Sequence, residues 1–246
     1  MKQFMRRLVT KKINRLAMCS LLVVSVLVLA AVVETRTVPA EAVVSTALTG
    51  LTVAVDPGHG GYDGGARARD SGVWEKEITL QIARTLEKEL SARGAAVILT
   101  RTEDIALSGE GSGKARKRAD LQKRLDLAQE AGADVFLSIH LNEYRSRLES
   151  GPQVFYQRGA DAGRLLAGAL QEAMVKTLQP TRVRKANAGD YYVLRESPLP
   201  SALVECGFLS NAEEEKKLLT AAYQHQIAKA IADGLENWRN LWANSR

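Results

Sequence analysis

The stretch VAVDPGHGGYDGGA, from Val53 to Ala66, is the part of the sequence from which the fold can first be inferred. It begins with alternating apolar residues, which is typical of a buried β-strand, and then breaks into glycines around a single histidine, His59. Glycine lets the backbone turn sharply and leaves open space beside a neighbouring side chain. The stretch therefore predicts a strand followed by a tight turn that places an imidazole at the edge of a sheet.

Apolar strand patterns alternate with amphipathic helix patterns along the rest of the chain. The predicted strands cover residues 51–56, 95–100, 134–140, 152–156, 191–194 and 202–206, and the predicted helices cover 73–93, 116–131, 160–178 and about 221–242. Strands that alternate with helices favour a parallel sheet covered on both faces. We therefore expect one α/β domain with a mostly parallel sheet and helices on both faces.

The N-terminal segment has the layout of a targeting sequence. Basic residues precede an apolar run over 17–33 that only Ser20 interrupts, as in a signal peptide or an N-terminal anchor. An A-x-A site ends at Ala42, so cleavage there and retention as a membrane anchor are both open. We expect residues 1–42 to be this leader and its linker, and 43–246 to be a folded domain outside the cytoplasm.

The charge distribution argues against a nucleic-acid partner. The 246 residues carry a formal net charge of +6, but residues 1–42 contain seven Lys or Arg and two Asp or Glu, which leaves the remainder almost neutral. A local basic cluster over 114–124 is interpreted as a solvated face, with contact to an anionic polymer as the alternative. Cys206 is the single cysteine after residue 42, so no disulfide is expected within the domain. The oligomeric state stays open.

Three of the predicted strands end in polar groups that suit metal chemistry. His59 follows the first strand, His140 closes the third and Glu205 lies near the end of the last, and such ends share one edge of a parallel sheet. Two histidines and a carboxylate form a common catalytic zinc set. The third ligand could be Glu75 or Glu77, which lie about 200° apart around a helix and cannot both face one site. Spacing alone decides neither this choice nor that between a metal site and two structural histidines.

Five motifs, in order, carry a resemblance to a known family. They are DPGHGGYDGGA, WEKEITLQIA, VILTRTED, ADVFLSIHLN and PSALVECGFLSN, and together they resemble the zinc-dependent N-acetylmuramoyl-L-alanine amidases of the Amidase_3 family. The resemblance implies peptidoglycan as the substrate and cleavage between the lactyl group of N-acetylmuramic acid and the L-alanine of the stem peptide. It also implies that His59, Glu75 and His140 hold zinc, and that Glu205 is the catalytic carboxylate.

The architecture narrows the resemblance further. The small size, the N-terminal segment and the absence of wall-binding repeats are similar to the spore-cortex amidases of endospore formers. This implies a role in forming muramic-δ-lactam and a location outside the cytoplasm, the forespore intermembrane space included, with membrane contact if the N-terminal segment is uncleaved. Two alternatives remain, a metallopeptidase that cuts within stem peptides and an inactive, anchored wall-binding module.

Other polar residues of the motifs have weaker interpretations. Asn142 would either hydrogen-bond the substrate or cap a turn. Asp56 would either hold a ligand histidine in place or begin the turn. Tyr191 and Tyr192 could border a glycan groove, although buried aromatic residues are the commoner case. Arg118 and Arg124 are interpreted as surface charge, with contact to peptide or glycan carboxylates as the alternative.

Overall fold

A six-stranded sheet forms the centre of this protein, whose structure, a computed structural model, describes residues 46–109 and 113–243. The strands are β1 (Thr52–Pro57), β2 (Ala96–Leu99), β3 (Val135–Asn142), β4 (Gln153–Tyr156), β5 (Asn187–Ala188) and β6 (Ser201–Phe208). The helices are α1 (Glu75–Ala92), α2 (Gly113–Glu130), α3 (Asp161–Leu178), α4 (Tyr192–Arg195), α5 (Ala212–Leu218) and α6 (Ala221–Ala243). The described residues all belong to one compact unit, Val44–Arg246.

The sheet is mostly parallel, as the sequence predicts. Its strand order is β2-β1-β3-β6-β4-β5, and β2, β1, β3 and β6 run parallel to one another. Strand β4 is antiparallel to β6, and β5 is parallel to β4. The carboxyl ends of β1, β3 and β6 therefore meet at one edge of the sheet.

Helices cover both faces of the sheet, because alternate strand residues are apolar in both directions. In β3, Leu137 and Ile139 enter a large core cluster on the face of α1, α3 and α6. Phe136 points the other way, into a smaller cluster with Leu125 of α2 and Val193 of α4. The prediction of an α/β domain with helices on both faces is confirmed.

The prediction of a strand over 191–194 is wrong, because this segment forms most of the single helical turn α4 and its N-cap. Val193 and Leu194 are both buried in the same smaller cluster, whereas consecutive residues of a strand would point to opposite faces of the sheet. A short apolar run does not distinguish a strand from a buried helical turn. The short elements β5 and α5 were not predicted, and the remaining predicted elements overlap the observed ones.

The predicted leader over residues 1–42 lies outside the described residues and stays a prediction. Within 46–109 and 113–243, no helix combines the length and the apolar character needed to cross a membrane.

Candidate active site

The polar ends of three strands lie on one face of the sheet, the face covered by α2. Asp56 continues the row of Ala54 in β1, His140 continues the row of Phe136 in β3, and Glu205 follows Leu203 in β6. The strand register places His140 directly beside Glu205. The expected gathering of polar groups at the carboxyl edge is therefore present.

The glycines around His59 provide the space that two imidazoles need. His59 has a φ of 63°, a left-handed conformation that is uncommon for residues other than glycine. A Cβ atom on Gly58 would lie 2.7 Å from Nδ1 of His140 and still closer to two other atoms of that ring. A Cβ atom on Gly65, at a φ of +71°, would lie 2.7 Å from Cδ2 of His59. Any larger residue at either position would displace a histidine.

The carboxylate of Glu75 lies between the two histidines. Its Oε1 accepts a hydrogen bond from the backbone N–H of Leu141 at 2.9 Å and lies 3.0 Å from Nδ1 of His140. Its Oε2 accepts from the backbone N–H of Ala66 at 2.8 Å and lies 3.2 Å from Nε2 of His59. Two backbone donors thus fix the carboxylate between two imidazole nitrogens.

Glu77 lies on the other side of the same helix. Its side chain is exposed, and its Oε1 accepts a 3.4 Å hydrogen bond from the backbone N–H of Trp74. Glu75, in contrast, is buried. The orientation of α1 therefore brings Glu75, and not Glu77, to the histidines, a choice that spacing had left open.

His59, Glu75 and His140 form a possible metal site. Each offers one ligand atom, and these atoms lie within 4.8 Å of one another. Nε2 of His59 and Nδ1 of His140 lie 3.2 Å and 3.0 Å from the two oxygens of the Glu75 carboxylate, so the three side chains bring their donor atoms into one small volume. Imidazole and carboxylate donors in this number suit a zinc-type centre with a free position for water or substrate.

Asp63 also contacts His59, a contact that sequence reasoning missed. Its Oδ1 lies 3.0 Å from Nδ1 of His59, without the alignment of a regular hydrogen bond. Burial lowers the pKa of His59, but the carboxylates of Asp63 and Glu75 outweigh burial and raise it to about 9. Burial likewise opposes ionisation of Glu75, yet the two histidines hold its pKa below the usual range. The signal available in the sequence was an acidic residue four positions after His59.

Glu205 is a buried carboxyl group that is only partly satisfied. It is 8% exposed, and its Oε2 has no hydrogen-bond partner. Burial, assisted by the negative charge of Glu75 and opposed by His59, raises the pKa of Glu205 to about 8. A perturbed carboxyl group of this kind beside a possible metal site is typical of an acid–base catalyst.

A cavity of about 340 Å³ lies over these groups. Asn142 lines it after an irregularity in the β3–β6 register, together with Tyr191 and Tyr192. The ring of Tyr191 packs against Phe155 with centroids 5.1 Å apart, and burial and the charge of Glu205 raise its pKa to about 12. Both tyrosines therefore border the cavity while remaining partly buried.

Asp56 and Arg124 make contacts in the structure that the sequence analysis did not predict. Asp56 is buried and accepts hydrogen bonds from Thr100, Ser138 and Arg124, so its carboxylate holds an arginine and not a ligand histidine. The interpretation of Arg124 as surface charge is wrong, because its side chain is 1% exposed and pairs with Asp56 at 2.8 Å and Asp120 at 2.9 Å. A buried guanidinium needs such partners.

Comparisons with known proteins agree with this geometry. The Amidase_3 family profile, described as N-acetylmuramoyl-L-alanine amidase, matches residues 53–237. The germination-specific N-acetylmuramoyl-L-alanine amidase of Bacillus subtilis (strain 168) is 36% identical over 193 residues, which cover 78% of this chain and 81% of the relative.

Two solved structures share the fold. The CwlD amidase of Clostridioides difficile, in complex with the GerS lipoprotein, matches with a TM-score of 0.74 and 34% identity, over 78% of this chain and 99% of that one. An N-acetylmuramoyl-L-alanine amidase of Clostridium difficile 630 matches with a TM-score of 0.70 and 35% identity, over 77% of this chain and 97% of that one. From the profile match, the relatives and the site geometry, the chain belongs to the Amidase_3 family and is an N-acetylmuramoyl-L-alanine amidase.

Proposed function

We propose that this amidase is a zinc hydrolase in which His59, Glu75 and His140 hold the metal and Glu205 is the catalytic base. The observation that carries the proposal is the convergence of three donor atoms within 4.8 Å of one another, beside a buried carboxyl oxygen that has no partner. The glycines that clear space for both imidazoles, and the backbone donors on Glu75, support a site built for a ligand.

Zinc, when bound, supplies a Lewis acid and lowers the pKa of water to about 7. Glu205 acts first as the general base and then as the general acid. Its Oε2 accepts a proton from the attacking water and donates it to the leaving amine of L-alanine. The lactyl group then carries the new carboxylate, and the stem peptide leaves with its α-amino group. In the metal-free protein Glu205 is mostly protonated at pH 7, and a neighbouring cation would favour the ionised form that a base requires.

The cavity positions the substrate around this chemistry. Its polar wall contains the ligand set and Glu205, and its rim contains Asn142, Tyr191 and Tyr192. We assign the amide of Asn142 to a hydrogen bond with the substrate, since the side chain lines the cavity two residues beyond His140. We assign Tyr191 and Tyr192 to contact with the glycan, since both side chains line the cavity.

The biological setting proposed is the spore cortex. The B. subtilis relative is named germination-specific, and a matched structure is the CwlD amidase of C. difficile. We extend this role to the present chain as the hydrolysis that prepares muramic acid for muramic-δ-lactam formation. The N-terminal pattern over residues 1–42 supports export, so the reaction would take place outside the cytoplasm. Together with the germination-specific relative, this leads us to propose the forespore intermembrane space as the location.

Three glutamate variants test the proposal on one protein preparation. Glu205→Gln keeps the shape of the side chain and should retain zinc, but turnover should fall by about 10²-fold or more because an amide cannot accept the proton. Glu75→Gln should lose zinc and activity together. Glu77→Gln, exposed on the same helix, is the matched control and should change neither.

The assay measures zinc content and, by mass spectrometry, the products released from muropeptides. Release of intact stem peptides beginning with L-alanine supports the amidase, whereas cuts within the peptide would indicate a metallopeptidase. Near-normal turnover of Glu205→Gln would reject the mechanism. A harmless Glu75→Gln beside a damaging Glu77→Gln would reject the ligand assignment.

A further inference from the structure

Two buried arginines hold the turn that carries His59. Arg101 donates from Nε to the carbonyl oxygen of Pro57 at 3.0 Å and from Nη2 to that of Gly58 at 2.9 Å. Arg124 donates from Nη1 to the carbonyl oxygen of Pro57 at 2.9 Å and from Nη2 to that of His59 at 2.6 Å. Three consecutive carbonyl groups of one turn are thus fixed by two guanidinium groups.

Arg101 also ties this turn to the helix that presents Glu75. Its Nη2 donates to the carbonyl oxygen of Lys76 at 2.9 Å, in the first turn of α1. The hydroxyl of Thr79, one turn further along the helix, donates to the carbonyl oxygen of Gly58 at 2.9 Å. The guanidinium group of Arg101 therefore helps to fix the position of the His59 turn relative to Glu75.

Arg124 ties the same turn to the strand that presents His140. Its Nη1 lies 2.8 Å from Oδ1 of Asp56, and the other oxygen of Asp56 accepts a 2.7 Å hydrogen bond from the hydroxyl of Ser138. Ser138 lies two residues before His140 and on the same face of β3. The chain of contacts runs from the carbonyl group of His59, through Arg124 and Asp56, to the strand of the second histidine.

These contacts hold a backbone segment whose conformation is unfavourable without them. His59 adopts a left-handed backbone conformation, which costs free energy unless its surroundings impose it. Burying two guanidinium groups close to each other is also costly, and burial, together with the positive charge of Arg124, lowers the pKa of Arg101 to about 10. The strained backbone of His59 and the two buried guanidinium groups therefore occur together at the turn that carries a proposed metal ligand.

We propose that Arg101 and Arg124 are positioning residues that set the affinity of the site for its metal by fixing the three ligand-bearing segments relative to one another. The proposal rests on the zinc site proposed above. Lysine cannot replace either residue, because a single ammonium group does not match several acceptors held by a planar fork. Groups that orient metal ligands typically contribute 10- to 100-fold to metal affinity.

The test compares the full chain with Arg101→Lys, Arg124→Lys and Arg93→Lys. Arg93 is the matched control: it pairs with Asp233, Glu236 and Glu89, and it directly follows the last residue of α1, about 27 Å along the helix axis from Glu75. Zinc affinity is measured by competition with a chromophoric chelator, and the free energy of unfolding is measured on the metal-free proteins by urea titration.

We expect Arg101→Lys and Arg124→Lys to bind zinc at least tenfold more weakly than the wild type, and Arg93→Lys to bind with wild-type affinity even where it loses comparable stability. Wild-type zinc affinity in a folded Arg101→Lys or Arg124→Lys protein would overturn the proposal. If Arg124→Lys does not fold, Arg101→Lys decides, because its contacts are to carbonyl and hydroxyl oxygens and it leaves no carboxylate unpaired. A wild-type protein that binds no zinc would instead reject the proposed function.

Discussion

Replacing Glu205 by glutamine should stabilise the metal-free protein in a pH-dependent way. The pKa of Glu205 is raised from 4.5 to about 8 in the folded state. Between these values the unfolded chain releases the proton while the folded protein keeps it, so the native state loses stability as the pH rises. Glutamine imitates the protonated carboxyl group at every pH and removes this penalty.

The magnitude follows from the displacement of the pKa. One pH unit corresponds to 1.36 kcal/mol, so the 2.5 units between 4.5 and pH 7 give a penalty of about 3 kcal/mol. Below pH 4.5 the penalty disappears, and at pH 5 it is less than about 1 kcal/mol. The side chain is 8% exposed, so solvent screening reduces these values little.

The measurement is urea unfolding of the metal-free wild type and Glu205→Gln, followed by tryptophan fluorescence at pH 5 and pH 7. The free energies of unfolding should differ by less than about 1 kcal/mol at pH 5 and by about 3 kcal/mol at pH 7, with the variant more stable. Glu77→Gln, an exposed substitution, should differ from the wild type by less than about 0.5 kcal/mol at both values. A difference between Glu205→Gln and the wild type that does not change with pH would refute the reasoning, because it would mean that the folded protein holds Glu205 ionised.

Three further predictions concern the metal site and the leader. Gly58→Ala should abolish zinc binding while preserving the circular dichroism spectrum, because the added methyl group overlaps the ring of His140. Zinc binding by this variant would contradict the claim that Gly58 provides the space for His140. Zinc binding at pH 7 should release protons, because the pKa of His59 is about 9 and a ligand imidazole must be neutral. Calorimetry in buffers of different ionisation enthalpy measures the number of protons released, and a binding enthalpy that does not depend on the buffer would contradict the prediction. A C-terminal reporter that functions only outside the cytoplasm should be active, whereas activity of a cytoplasm-only reporter would refute export.

The sequence was sufficient for those features that depend on local pattern. The alternating apolar run before Asp56 predicted β1, and the short continuous apolar runs predicted β3 and β6. The polar residues at the ends of the last two runs, His140 and Glu205, lie side by side as expected. This part of the site was predictable because the carboxyl ends of parallel strands must share one edge of the sheet.

Features that depend on packing between distant segments were not predictable. Whether α1 presents Glu75 or Glu77 depends on its rotation against the sheet, which the packing of the whole helix determines. The burial of Arg124 depends on Asp56, a residue 68 positions away, so its basic neighbours in sequence were misleading. The turn α4 was predicted as a strand because four apolar residues contain too little periodicity to identify helix or strand.

The separation of the two sheet faces has a practical consequence for engineering this enzyme. Cys206 follows Glu205 directly, yet it is buried in the large cluster on the opposite face, with α1, α3 and α6. Substitutions that improve packing between α3 and α6 would therefore raise thermal tolerance without altering the groups that line the cavity. Directed evolution could therefore address thermal stability in a library confined to α3 and α6, apart from a library of the cavity-lining residues, which include Glu75 of α1.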